Sequence, residues 1–240
     1  MNIYYHLRKN LLGLCEILLK NHNLFYDFVE SKKEMNFVQI GANDGVQADN
    51  INQYISSKWT GCLIEPIPFY YDKLVQQYCD YSANLKFFNC AISNSDGSMD
   101  IYYLNPDVLD DLPLWCHGLG TFNKDRLINQ VEGFFEQRSH LEKYIIKTQV
   151  PVYTFEQFAK KNEIYMIDLL AMDTEGHDYI ILNSIDFKTI KVSVILFELK
   201  HMKLREIAKL YMKFSFNGYR VRFHSADDMI AVERKSLKRN

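Results

Sequence analysis

"FVQIGANDGVQADN", residues 37–50, decides how the chain is read. A short apolar strand over 36–40 ends at Gly41-Ala42-Asn43-Asp44-Gly45 and passes straight into a helix-like pattern, expected over 46–57. Two glycines and two short polar side chains at such a corner let the backbone approach a ligand closely. The helix behind the corner would present unpaired N–H groups to it. A glycine in a first turn can also serve simply to pack helix on strand, so the corner needs support from the rest of the chain.

Working outward, "GCLIEP" (61–66) ends a second strand at Glu65-Pro66, and Pro68 suits the first turn of the next helix. Glu65 follows the glycine corner by about 20 residues, the spacing at which an acid reaches ribose hydroxyls. Two vicinal hydroxyls are donors, and one carboxylate accepts from both. A third strand is expected over "LKFFNCAIS" (85–93), then a turn at "NSDGS" and an alternating strand, "MDIYYLN". Residues 106–122 are irregular and precede a helix over 123–141 and an extended "YIIKTQVPVYT". Thr154 opens a helix with Gln157 three positions on, a capping-box pattern. "MIDLLAMDTEGHD" (166–178) reads as a buried strand entering a turn, with helix from His177 to Ser184. "VSVILFEL" (192–199) is apolar throughout, as a central parallel strand is. A helix over 203–216 and an antiparallel pair, "GYRVRFHS" and "DMIAVER", close the chain. This alternation predicts a doubly wound α/β sheet with ligands bound outside the carboxyl ends of its strands.

The 240 residues suit one compact domain, 35–240, behind a helical extension, 1–34. Hydrophobic residues make up 48% and aromatics 14%, enough for a sizeable core and too many for a disordered chain. A formal net charge of −2 and a pI near 6.4 give no global field that favours nucleic acid. The 5 cysteines are odd in number and show no CxxC spacing, which disfavours zinc and suits a reducing cytosol. Cys62 and Cys90 sit in apolar runs, where a free thiol packs as a small hydrophobe. The run in "RKNLLGLCEILLK" is broken by Glu16 and lacks a small-residue cleavage site, unlike a secretory signal. Leu11, Leu14, Leu18 and Phe25 recur instead at helical spacing. No segment reaches the roughly 18 apolar residues of a spanning helix, so a soluble, cytoplasmic protein without stable membrane insertion is expected. The basic tail, 234–240, reads as a solvated terminus. A monomer and a homodimer both fit the sequence.

The glycine corner lacks the third glycine of a dinucleotide fingerprint, and no GKS or GKT occurs in the chain. Asp44 would repel a pyrophosphate. An acidic, glycine-bearing loop suits a cationic cofactor without phosphates, such as S-adenosylmethionine, whose amino and sulfonium groups Asp44 and Asp173 would complement.

"VQIGANDG", "CLIEPIP", "AMDTEGHDYIIL" and "VILFELKHM", in this order and spacing, resemble the FkbM family of S-adenosylmethionine-dependent methyltransferases. The resemblance covers 36–202 and is strongest at Asp173-Thr174-Glu175-Gly176-His177-Asp178, which is similar to the family's D-x-E-G block. "VYTFEQF" is similar to the step that precedes that block. The resemblance implies a Rossmann-like class I methyltransferase with a mostly parallel seven-stranded sheet, order 3-2-1-4-5-7-6. It implies that Gly41, Ala42, Asn43, Asp44 and Gly45 surround the methionine part of the cofactor. Glu65, with Pro66 beside it, would hold the ribose, and Ala91 and Ile92 would flank adenine. Asp173, Thr174 and Glu175 would lie near the amino group or the methyl donor. Gln39 stands where most enzymes of this fold carry an acid, so it keeps a hydrogen bond but loses a charge.

Methyl transfer from a sulfonium is an in-line displacement, and an alcohol acceptor must also lose its proton. His201, just after "FELK", is the first candidate base. His177 is the second, although a place in the first turn of a helix also suits a solvent-facing side chain. Asp173 and Glu198, on neighbouring strand ends, would offer two carboxylates to Mg²⁺, or Glu198 would simply accept hydrogen bonds at the pocket floor. Trp115, His117, Gly118 and Thr121 belong to the irregular stretch, a candidate cover over the acceptor. Trp115 would stack on a sugar ring there or pack. The acceptor expected is a hydroxyl of a sugar, a surface-glycan precursor in polysaccharide biosynthesis, or a small metabolite. The rival reading is a non-catalytic binding or scaffold domain, which Gln39 favours.

Overall fold

The structure is a computed structural model that describes residues 24–47, 49, 51–81 and 84–236. Helix α1 (Leu24–Ser31) buries Phe25 and Val29 and leads into strand β1 (Met35–Ile40), which is buried at every position but Asn36. Burial on both faces is what an uninterrupted apolar strand requires. Strand β2 (Trp59–Ile64), helix α2 (Pro68–Gln77) and strand β3 (Leu85–Phe88) complete the first half. There follow β4 (Ala91–Ser93), β5 (Gly97–Leu104), β6 (Gly120–Thr121), α3 (Lys124–Val131), α4 (Arg138–Leu141) and β7 (Ile145–Thr154). Helix α5 (Phe155–Lys161), β8 (Met166–Met172), α6 (Asp178–Ser184), β9 (Lys191–Glu198) and α7 (Leu204–Phe216) restore the alternation. Strands β10 (Tyr219–Phe223) and β11 (Asp228–Glu233) end it.

The main sheet has seven strands in the order β3-β2-β1-β8-β9-β11-β10. Counted in chain order within that sheet, this is 3-2-1-4-5-7-6. Strands β1, β2, β3, β8 and β9 pair in parallel, whereas β11 runs antiparallel to both β9 and β10. The sheet is therefore mixed. On one face Phe155, Phe158, Leu182 and Phe214 from α5, α6 and α7 pack on it. On the other, Phe25 and Leu74 from α1 and α2 do so. Thr154 caps α5 by accepting the Gln157 N–H at 3.2 Å, as its spacing predicts.

Three expectations change. The single strand expected over 85–93 is two strands in two sheets, because the chain turns at Asn89, whose side-chain amide donates to the carbonyls of Glu65 and Pro66 at 2.9 and 3.0 Å. Strand β3 stays beside β2, while β4 joins a second sheet, β4-β7-β5-β6. That sheet closes a third core around Tyr70, Leu104, Leu127 and Val152. The helix expected over 46–57 does not form. Asp44 Oδ1 accepts the N–H groups of Val46 and Gln47, Asp49 Oδ1 accepts those of Ile51 and Asn52, and among the described residues of this segment the one helical turn is a 3-10 turn, Asn52–Tyr54. Aspartate side chains that take backbone donors two and three residues on favour turns over helix. The helix expected over 123–141 divides into α3 and α4 around a 3-10 turn, Glu132–Phe134, that contains Gly133, a poor helix former.

The irregular stretch over 106–122 holds two 3-10 turns, Pro106–Asp111 and Leu114–Cys116, and strand β6. Val108, Leu109, Cys116 and Leu119 pin it to the third core. The helical spacing of Leu11, Leu14 and Leu18 and the end of the basic tail lie outside the described residues. Among the described residues no helix is long and apolar enough to cross a membrane. The winding direction of the main sheet reverses between β1 and β8, and the carboxyl ends of β1, β2, β8 and β9 gather there.

Candidate functional site

Backbone hydrogen bonds continue past the strand ends and set the turns side by side. Gly41 and Ala42 donate to the Ile64 carbonyl at 2.9 and 3.1 Å, Asp173 donates to Ile40 at 3.1 Å, and Glu65 donates to Phe88 at 3.0 Å. Gly41 has φ +78°, and a Cβ on it would overlap the carbonyl oxygen of Asp173. Only glycine meets both demands. The paired turns border a cavity of about 820 Å³, within the range of small-molecule sites.

At one end stands Glu65, 5% exposed. Its Oε2 accepts the Asn43 N–H and its Oε1 accepts the Ile67 N–H, each at 2.9 Å. Burial pushes its carboxyl up to about 7, against those two hydrogen bonds. Each oxygen keeps capacity for a further donor. Asn43, with φ 49°, holds the left-handed bend of the corner. Asp44 does not face the cavity, because its side chain is used on the turn. Its charge is still felt at Glu65, which it helps to raise. Gly45 is likewise outside the lining and lies against Tyr78 and Leu74.

Gln39 is buried at the end of β1 and lines the cavity beside Asp49. Burial raises the Asp49 carboxyl, opposed by the N–H groups of Ile51 and Asn52 and by the Gln39 amide. Asp49 thus brings back an acid near the place where Gln39 lacks one. Sequence reasoning missed it, and its one sequence signal is an Asp two residues before an apolar position in a segment that reads as helix.

The other end of the cavity is acidic. Asp173 Oδ1, Glu175 Oε2 and Glu198 Oε2 are buried and have no hydrogen-bond partner. Burial pushes the Asp173 carboxyl well above the ordinary carboxylate range, and the charges of Asp178, Glu175 and Asp228 push it further. Glu198 is raised in the same way, by burial and then by Asp173, Glu175 and Asp178, with Lys200 opposing. The turn between them is fixed by Asp178, fully buried, whose Oδ2 accepts from the N–H and hydroxyl of Thr174. Glu175 has φ 50° and Gly176 φ 92°, so two successive left-handed residues make the bend. Among the described residues no group of three or more His, Cys, Asp or Glu is placed to hold a metal ion. Buried carboxylate oxygens that make no hydrogen bond suit an organic cation.

The two candidate histidines are placed differently. His201 does not line the cavity. Its Nε2 stands 3.5 Å from Glu175 Oε2 and 3.8 Å from Glu198 Oε2, behind the carboxylates that do. His177 does line the cavity, but its Nε2 shares a 2.8 Å hydrogen bond with Ser93 Oγ and its ring meets Phe122 edge to face. Burial, then the charge of Arg126, lowers His177 to about 4, which keeps it neutral and a weak base.

Trp115, His117, Gly118 and Thr121 all line the cavity from the cover. His117 Nε2 is engaged with the Leu109 carbonyl at 3.0 Å, and Gly118 donates to the Tyr70 hydroxyl at 2.8 Å. Trp115 is 51% exposed at the mouth, its ring 5.7 Å from that of Phe134. Pro66, Ala91, Ile92 and Thr174 also lie in the lining. Arg126 and Lys200, which sequence reasoning did not single out, join them. No motif marks Arg126, which the packing of α3 brings in, whereas Lys200 lies within "VILFELKHM", in the turn after β9.

The family model described as "Methyltransferase FkbM domain" matches residues 39–221. No curated protein matches the chain. Among solved structures, the chain is similar to the precorrin-6y C5,15-methyltransferase of Geobacter metallireducens GS-15, with 13% identity, 82% of this chain and 69% of that chain covered, and a TM-score of 0.38. A fibrillarin pre-rRNA processing protein of Methanococcus jannaschii shares 8% identity over 84% of this chain and 67% of that one, with a TM-score of 0.43. The Aeropyrum pernix fibrillarin in complex with natively bound S-adenosyl-L-methionine shares 10% over 84% and 67%, with a TM-score of 0.40.

The acidic end makes stability depend on pH. Carboxyls with raised folded-state values bind protons more tightly folded than unfolded, so their contribution is complete below the ordinary carboxylate range and is lost as pH rises past neutrality. Asp173→Asn is expected to raise the Tm of the ligand-free protein at pH 8 relative to the parent and to change it little at pH 4. Thermal unfolding across this range checks the sign, and a variant less stable than the parent at pH 8 would contradict it.

Proposed function

The chain belongs to the FkbM methyltransferase family, and from that premise we propose that it transfers a methyl group from S-adenosylmethionine to a hydroxyl of a sugar, a surface-glycan precursor or another small molecule. One observation carries the choice of cofactor: buried carboxylate oxygens without hydrogen bonds, on Asp173, Glu175 and Glu198, belong to residues that line a cavity shared with Glu65. An ammonium and a sulfonium beside the first group would relieve its repulsion, and a ribose diol beside Glu65 would use its free acceptor capacity. When bound, the cofactor supplies an electrophilic methyl group, and the electron pair of the broken carbon–sulfur bond stays on sulfur.

The residues of this chain must then orient the acceptor and take its proton. Glu175 is the group best placed to do so, because it lines the cavity and its Oε2 makes no hydrogen bond. Burial and then its acidic neighbours raise the Glu198 carboxyl, which favours its protonated form in the ligand-free protein. His201, 3.5 Å behind Glu175, is a positioning residue that can receive the proton from the carboxylate. The proton leaves the acceptor oxygen for Glu175 as the new oxygen–carbon bond forms, giving a methyl ether and S-adenosylhomocysteine. This order replaces His201 as the direct base with a carboxylate backed by a histidine.

Two measurements test the reading. Calorimetry is expected to show binding of S-adenosylmethionine and S-adenosylhomocysteine but not of NAD or ATP. Binding of NAD with no heat from either sulfur compound would sink it. In a tritiated-methyl transfer assay against sugar and glycan acceptors, Glu175→Gln is expected to lower turnover by about 10²–10⁴-fold, as loss of a general base does. S-adenosylhomocysteine affinity should change far less, because Asp173 and Glu198 remain to meet its amino group. A protein that binds the cofactor yet labels no hydroxyl acceptor is the non-catalytic domain of the rival reading.

A further inference from the structure

Helix α3 turns one face to the cavity, with Asn123, Arg126 and Gln130 in its lining. Asn123 Oδ1 caps the helix by accepting the Arg126 N–H at 3.1 Å, which leaves its amide NH₂ as a donor. The Arg126 side chain reaches across to the D-x-E-G turn, where a Cβ on Gly176 would overlap both Nη1 and Nη2. Glycine at 176 thus does more than allow φ 92°, since it also opens the space that the guanidinium fills. Arg126 is half-buried, and among the described residues it makes no ion pair. The contrast with Arg138 is direct, since that residue pairs with Asp125 at 3.3 Å and with Glu142 at 3.8 Å.

Among the described residues no acid of the cavity forms an ion pair with the Arg126 guanidinium. Its field falls on His177. The cavity lining therefore combines an acidic end, matched to a cationic cofactor, with a basic point at Arg126 against the Gly176 turn, and it also includes the exposed apolar side chains of Leu114 and Trp115. A half-buried guanidinium with open donors is the usual recognition element for a planar or tetrahedral oxyanion.

We propose, building on the methyl-transfer reading, that the acceptor is an anion: Arg126 binds a carboxylate or phosphate on the acceptor molecule, while Trp115 and Leu114 cover its apolar or sugar face. The methylated hydroxyl then lies between that anionic group and Glu175. An acidic sugar and a phosphorylated sugar share this chemistry.

Protein saturated with S-adenosylhomocysteine is titrated with glucuronate, glucose 6-phosphate and glucose, read by calorimetry, for the parent, Arg126→Ala and Arg126→Lys. Both charged sugars, or one of them, should bind at least about tenfold more tightly than glucose; which of them binds separates carboxylate from phosphate as the anion. Arg126→Ala should remove that preference, Arg126→Lys should retain part of it, and the affinity for S-adenosylhomocysteine should change less than about twofold. Glucose binding as well as the charged sugars, or failure of both charged sugars to bind, overturns the proposal. So does a loss of S-adenosylhomocysteine affinity of about tenfold in Arg126→Ala, because the guanidinium would then hold the carboxylate of the cofactor. A parent protein that binds no S-adenosylhomocysteine refutes the methyl-transfer reading itself, a separate result visible before any sugar is added.

Discussion

The backbone of Gly41 lies against the carbonyl of Asp173, and the rest of the site follows from that contact. It exists because parallel pairing of β1 with β8 continues one residue beyond the strands, through the Asp173 N–H and the Ile40 carbonyl. With the two turns locked together, the Asn43 amide is brought to Glu65 and the Asp173 carboxyl into the cavity wall. A side chain at position 41 would separate the turns and disperse both ends of the pocket. The sheet supplies rigidity, and the glycine supplies the closeness that lets two strand ends act as one surface.

Much of this was legible in the sequence, and the reason is local. A glycine corner, an acid about 20 residues on and a D-x-E-G turn are short motifs whose geometry depends mainly on their own backbone. The alternation of strands and helices predicted a doubly wound sheet, whereas the order of its strands came only from the family resemblance. What escaped was decided by distant partners. Asn89 divides 85–93 between two sheets by bonding to Glu65 and Pro66, and nothing within "LKFFNCAIS" announces those acceptors. Asp44 and Asp49 take backbone donors that a helix over 46–57 would need, although the apolar spacing there is helical. His201 lies at the expected strand end but points behind Glu175, a matter of side-chain direction that chain position does not convey. Arg126 belongs to a helix with no motif at all.

The electrostatics of the cavity favour function over stability. Three buried acidic oxygens without hydrogen bonds belong to Asp173, Glu175 and Glu198, and burial makes ionisation of Asp173 and Glu198 costly. Such an arrangement is a poor way to hold a domain together and a good way to select a positive ligand, since the ligand relieves the strain that the fold maintains. Local rules are commonly broken at functional sites, and the large apolar cores on both faces of the main sheet stabilise the chain against that cost. The Gln39–Asp49 arrangement fits the same logic, because an acid contributed by a turn stands in for one missing from the strand.

The central claim is that the acidic cluster and Glu65 hold opposite ends of one cationic nucleoside. A crystal structure of the protein with S-adenosylhomocysteine tests it most directly. The account predicts the amino group within about 2.7–3.2 Å of an oxygen of Asp173 or Glu198, and the ribose hydroxyls at the same range from Glu65. A nucleoside bound in the reverse sense, or outside the cavity between β1 and β8, would contradict it.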